Sequence, residues 1–181
     1  QLEANRSNAE MGTSVAGAGD TDGDGYDDIL VGAPTFEQGT TLGGRAWLYR
    51  GGATFDGMAD VVYSSTVAGD QLGASVASAG DTNGDGRADV LIAAPGGMSV
   101  QLHRSGSIAP QDSVVIDSED LPPGDHEGFG STVAGAGDLN GDGFADFAIA
   151  QPGYTNGEAS EGAVFVYFGG APFNSVIDAT L

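Results

Sequence analysis

Cysteine and lysine are both missing from these 181 residues, and histidine occurs only twice, as His103 and His126. Without cysteine there is neither a disulfide framework nor a thiolate metal site. Without lysine, and with Lys+Arg totalling 5 against 26 Asp+Glu, the formal charge is -21. That balance excludes the basic face that DNA, RNA or an anionic membrane would need. No apolar run approaches the roughly 18 residues of a membrane-crossing helix. There is no nucleophile elbow, no phosphate loop and no catalytic carboxylate pair outside the acidic loops described below, which points away from an enzyme. His103 falls on a strand position and reads as a packed residue, while His126 sits in an acidic, solvated loop. An initiator Met and a signal-peptide pattern are also lacking, as expected of a processed chain or a portion of a longer one.

Glycine is abundant, at 32 residues, and hydrophobic residues make up 40% of the chain. The second figure is enough for a core and argues against disorder. The glycines show no collagen-like period, so they are expected to serve turns. They belong to a repeat. Met11-Gly12, Leu72-Gly73 and Phe129-Gly130 open three segments whose starts lie 61 and 57 residues apart. In each, an Asp follows nine residues after the opening residue (Asp20, Asp81, Asp138) and another eight residues later (Asp28, Asp89, Asp146). A short apolar run then ends at Pro34, Pro95 or Pro152. The repeats span approximately 11–71, 72–128 and 129–181, within a single segment, 1–181.

Strand signals recur in register. First strands are predicted at Ser14–Ala18, Ser75–Ala79 and Thr132–Ala136, where small residues suit a crowded inner position. Second strands, at Ile29–Gly32, Val90–Ala93 and Phe147–Ala150, are continuously apolar and so expected to be buried on both faces. Third strands are predicted at Ala46–Tyr49, Val100–His103 and Val164–Phe168, and fourth strands at Val61–Ser65, Val114–Asp117 and Val176–Thr180. No helical period is sustained. Four short antiparallel strands per repeat describe the blades of an all-β propeller.

Between first and second strands lie three loops of one design. Oxygen side chains stand at positions one, three, five and nine: Asp20, Asp22, Asp24 and Asp28; Asp81, Asn83, Asp85 and Asp89; Asp138, Asn140, Asp142 and Asp146. Gly occupies positions four and six, where a tight wrap demands positive φ. The backbone carbonyls of Tyr26, Arg87 and Phe144, at position seven, add a further ligand. Six or so oxygens, with the last Asp able to use both of its own, suit calcium better than octahedral magnesium. Closely spaced carboxylates also repel one another unless a cation lies among them. An EF-hand would need an acid at position twelve, which here is Val31, Ile92 or Ile149. Gly17-Ala18-Gly19 is followed by a metal loop and not by a helix, which excludes a dinucleotide site.

With Phe129-Gly130, Gly32-Ala33-Pro34 and the intervening loops in place, the chain resembles the FG-GAP repeat, the unit of the integrin α-subunit propeller and of many bacterial extracellular proteins. The departures keep register: Met11 and Leu72 replace Phe, while Ala93-Ala94-Pro95 and Ala150-Gln151-Pro152 replace Gly-Ala-Pro. The resemblance implies three Ca²⁺ sites, one per loop, on the face opposite the ligand face. It also implies a calcium-stabilised extracellular or cell-surface module that binds protein or glycan in adhesion, and not an enzyme. The alternative is a non-catalytic accessory domain of a secreted enzyme such as a lyase or phospholipase. Ligand contacts are expected from the second-to-third loops, Thr35–Gly43 and Gly153–Glu161, with Phe36, Glu37, Tyr154 and Asn156. The fourth-to-first loops, Ala68–Gln71 and Pro122–Glu127, share that face. Three blades do not close a ring, so the chain is expected to be a partial propeller or one half of an oligomeric ring. A homodimer, further repeats or another subunit would complete it, and Gln1–Ala4 resembles the tail of a preceding fourth strand.

Overall fold

A computed structural model describes residues 8–105, 113–121 and 126–181. Gln1–Ala4 and most of the Pro122–Glu127 loop lie outside the described residues. Three four-stranded antiparallel sheets follow one another along the chain. The first contains β1 (Ser14–Gly19), β2 (Asp28–Ala33), β5 (Arg45–Tyr49) and β6 (Val61–Ser64). Between β2 and β5 a small hairpin intervenes, formed by β3 (Glu37–Gln38) and β4 (Thr41–Leu42). The second blade has β7 (Val76–Gly80), β8 (Asp89–Ala94), β9 (Ser99–His103) and β10 (Ser113–Asp117). The third has β11 (Thr132–Gly137), β12 (Asp146–Gln151), β13 (Ala163–Tyr167) and β14 (Ala179–Thr180). Strands are neighbours in chain order within every blade, the up-and-down arrangement of a propeller.

The predicted fourth strand of the third blade, Val176–Thr180, is shorter than its alternating residues suggest. Asn174 Oδ1 captures the Val176 amide at 3.1 Å, so the chain joins the ladder later. It does so through Asp178 N to Val166 O (2.9 Å) and a reciprocal pair between Val164 and Leu181. The hairpin of β3 and β4 was not read from the sequence, because Glu37–Leu42 carries more turn chemistry than strand pattern.

The two ends of the repeat signature meet in space. The amides of Gly12, Gly73 and Gly130 donate to the carbonyls of Gly32, Ala93 and Ala150 at 2.9, 2.9 and 3.2 Å. Each opening glycine has positive φ (93°, 88° and 76°), a conformation that places the amide for this bond at little steric cost. Gly32 also lies against the backbone of Gly73 in the next blade, so closely that a methyl there would collide with the Gly73 carbonyl. At the second junction the two backbones stand far enough apart at this point to accept a real methyl at the equivalent Ala93, 3.7 Å from where one on Gly130 would stand. The change from Gly-Ala-Pro to Ala-Ala-Pro is thereby a packing change.

Blades stack through first strands of small residues. Val76 N donates to Ser14 Oγ (3.0 Å), Val133 N to Ser75 Oγ (3.1 Å) and Ser78 Oγ to Ala18 O (2.8 Å). Leu30, Leu48, Leu72, Val76, Val90 and Ile92 form the core between blades one and two. A larger, aromatic core that includes Phe129, Phe147, Phe165 and Tyr167 joins blades two and three. Every residue of β8, in the middle blade, is buried, as expected of a two-faced strand. On β2 the expectation fails at Ile29, which is 37% exposed; a third cluster of Ala9, Val31, Ala33, Phe36, Trp47 and Tyr49 buries most of that side of blade one but does not reach it. Val15 and Val62 share that side and are 61% and 49% exposed.

His103 lies in the first junction, its ring 4.4 Å from that of Tyr63 and its Nε2 3.0 Å from Gln101 Oε1. Burial pushes its pKa down from 6.5 to about 4. The unfolded chain therefore takes up this proton first, and the stability contributed by neutral His103 is full above pH 6.5 and lost as pH falls toward 4. Urea midpoints are expected to drop over that interval, and to drop less in His103→Gln. Identical slopes in the two chains would refute the assignment.

Candidate metal-binding loops

Each first strand ends in a β-bulge that aims the chain into its loop. The register shifts between Gly17 and Gly19, Ser78 and Gly80, and Gly135 and Gly137. The glycine that ends each pair has positive φ, at 73°, 74° and 69°. The next residue is the position-one Asp.

That Asp organises the loop. Asp20 Oδ1 accepts from Gly23 N (2.6 Å) and Asp24 N (3.1 Å), and its Oδ2 from Gly25 N (2.8 Å). Asp81 does the same with Gly84, Asp85 and Gly86 at 2.7, 3.1 and 2.8 Å. Asp138 repeats it with Gly141, Asp142 and Gly143 at 2.7, 3.1 and 2.9 Å. Asn83 and Asn140 at position three accept from the position-five amide, each at 2.8 Å, and Asp22 does so at 3.2 Å. At position five, Asp24, Asp85 and Asp142 accept from Tyr26, Arg87 and Phe144 N, all at 2.9 Å. The bond from Gly25 N, with those from neighbouring amides, holds the Asp20 carboxyl below its usual range despite some opposing desolvation.

Carboxylate oxygens of Asp20, Asp22 and Asp24 lie within 4.8 Å of one another, a spacing that fits a single hard cation with oxygen ligands. Arg50 Nε, 3.3 Å from Asp22, offsets part of the charge. Position nine stands apart from this group. Asp28 is buried, its Oδ2 accepting from the amide and hydroxyl of Thr21 and its Oδ1 from Gly51 N at 2.8 Å. Asp89 is bonded in the same way to Thr82 and to Ser105 N (2.7 Å), and burial raises its pKa. Asp146 accepts from Leu139 N (2.7 Å) and Gly169 N (2.9 Å). These carboxylates thus tie the loop to the residues just beyond the third strand. Gly51, Ser105 and Gly169 were invisible to a motif confined to nine residues.

Two of the expected ligand-contact residues are core residues instead. Phe36 is 5% exposed, packed edge-on to Trp47 with the Arg45 guanidinium 4.0 Å above its ring. Tyr154, also 5% exposed, sits edge-on to Phe165. Glu37 and Asn156 do face solvent. His126 is half-buried and its carbonyl accepts from Phe129 N.

The family model for the FG-GAP repeat matches residues 11–49, 72–109 and 129–167, one stretch per blade and each containing a whole loop. This chain belongs to the FG-GAP repeat family. Similar proteins include integrin alpha pat-2 of Caenorhabditis elegans, 38% identical over 177 residues, covering 88% of this chain and 14% of the relative. Integrin alpha-IIb of Mus musculus is 33% identical over 157 residues (79% of this chain, 15% of the relative). Integrin alpha-5 of Xenopus laevis is 30% identical over 155 residues, with the same coverage. The FG-GAP segment thus spans about 14% or 15% of the length of these relatives. Among its described residues, no helix is long and apolar enough to cross a membrane.

Proposed function

We propose that this chain is a calcium-stabilised recognition module of an adhesion-type propeller. It would take one Ca²⁺ per loop and present protein- or glycan-binding loops to the cell exterior. The observation that carries this reading is the three-fold recurrence of one loop geometry, with the Asp20, Asp22 and Asp24 oxygens gathered within 4.8 Å. The likeness to integrin alpha chains supports the adhesion class and the cell-surface setting. A chain of charge -21 is compatible with a calcium-rich exterior.

Because strands alternate in direction, the β2-to-β5 and β12-to-β13 connections leave the blades at the end opposite the metal loops. Their exposed residues, Leu42 and Asn156 among them, are the proposed contacts. Calorimetry is expected to count three calcium ions, and a count of zero refutes the metal reading. In a glycan-array and surface-protein screen, Leu42→Ser with Asn156→Ala is expected to abolish capture, whereas Leu139→Ser on the metal face leaves it intact. Equal loss from both variants refutes the face assignment.

Among the described residues Val15, Ile29 and Val62 leave an exposed apolar patch on the outer side of blade one, which calls for a covering unit. We propose a second copy, which would make six blades, with further repeats or another subunit as the rivals. Light scattering near twice 18.0 kDa supports the second copy, and a stable monomer at 18.0 kDa excludes it.

A further inference from the structure

The loops are joined across blade junctions by bonds that the motif does not announce. Ala88, at position eight of the second loop, donates its amide to the carbonyl of Asp20, position one of the first, at 2.9 Å. Ala145 of the third loop donates in the same way to Asp81 of the second at 2.8 Å. Gly170, just beyond β13, adds a bond to the carbonyl of Thr82 at 2.8 Å. Position-seven side chains cross the same gap. Phe144 lies over Gly84, where an added methyl would stand 2.8 Å from its Cε1, and Arg87 lies over Gly23, with Nε 3.2 Å from such a methyl. The methyls of Ala88 and Ala145 likewise rest against Gly19 and Gly80, the bulge glycines that open the preceding loops. Tyr26, the position-seven residue of the first loop, is 48% exposed.

We infer that the three calcium loops are coupled in series, each occupied loop raising the affinity of its neighbour through the position-eight amide and the position-seven side chain. This rests on the metal reading above. The physical ground is pre-organisation. Position eight is flanked by the carbonyl of position seven, a proposed ligand, and by the position-nine Asp that pins the loop to its blade. Ordering that stretch sets the Ala145 N–H and the Phe144 ring in place. Those groups in turn hold the backbone of Asp81 and cover Gly84, so the second loop loses less conformational freedom when it binds. Coupling of binding free energies is reciprocal, so the second loop helps the third equally. Among the described residues the first and third loops share no such bond, so they communicate through the second. Phe144 and Arg87 are positioning residues here, because it is their carbonyls, not their side chains, that belong to the ligand set.

Calorimetric calcium titration of the parent chain, Asp138→Ala, Asp20→Ala and Phe144→Ala separates the possibilities. Asp138→Ala is expected to bind two ions, one of them about fivefold or more weaker than in the parent. Asp20→Ala is expected to behave in the same way. Phe144→Ala keeps all its side-chain ligands, so it should still bind three ions, with one affinity reduced. Amide exchange at Ala145 should slow when the second loop alone is filled, in the chain carrying Asp20→Ala and Asp138→Ala together. Remaining sites within twofold of their parent affinities in all three variants overturn the coupling and leave the metal reading standing. A parent chain that binds no calcium overturns both.

Discussion

Removing divalent cations is expected to lower the thermal midpoint of this chain by about 20 °C. At free calcium near 100 times the dissociation constant, each occupied loop adds about 2.7 kcal/mol, and three loops add about 8 kcal/mol. A chain of this size loses about 2–4 °C per kcal/mol. The sum rivals the whole stability of a typical domain, about 5–15 kcal/mol, so a chelated sample would be close to unfolding. Charge adds to the effect, since three divalent ions would bring -21 to -15 and relieve self-repulsion in the compact state. Calorimetric melts in calcium and in chelator provide the measurement. An unchanged midpoint would sink the proposed stabilisation, whatever the fold.

The second large effect is expected from Phe165→Ala, at about 3–5 kcal/mol. Phe165 is fully buried, 6.1 Å from Phe129 and 5.5 Å from Tyr154 by ring centroids, in the core that joins blades two and three. Truncation leaves a cavity between rings that the paired strands hold apart. Because blades contact only their neighbours, the loss should fall on the second junction. Trp47, the sole tryptophan and a resident of blade one, offers a separate optical reporter. Far-ultraviolet dichroism should show an early transition in urea, while Trp47 fluorescence moves less. A cost below about 1 kcal/mol would contradict the assignment of Phe165 to a tightly packed junction.

The propeller class was legible because its evidence is local and repeated: an acid loop, an apolar strand and a proline, three times in one register. The inner geometry of the loops was legible for the same reason, since positions one to seven are closed by bonds spanning five residues or fewer. What escaped depends on distant partners. The position-nine acids read as ligands from the motif alone; that Asp28 also accepts from Gly51 across 23 residues could not be read, because the pairing depends on where β5 ends. Phe36 and Tyr154 read as loop contacts because they lie beyond the strands, but the apolar row of Trp47 on β5, and that of Phe165 on β13, continues past the strand ends and draws them inward. The Ala88 and Ala145 bonds left no trace in the residue types, because a backbone amide has no letter of its own.

The stitch between Gly12 N and Gly32 O, repeated at Gly73 and Gly130, has a consequence for the order in which this chain acquires its shape. It closes a hairpin within a single repeat, whereas the bonds that stack one blade on the next span 62 residues from Ser14 to Val76 and 58 from Ser75 to Val133. Loop-closure entropy grows with span, and low contact order speeds folding. Each hairpin is therefore expected to zip independently, as soon as its own segment leaves the ribosome, and the blades to dock afterwards as nearly finished plates. The slow and aggregation-exposed interval in the life of the chain would then fall between zipping and docking, when the apolar faces of the plates are formed but not yet covered.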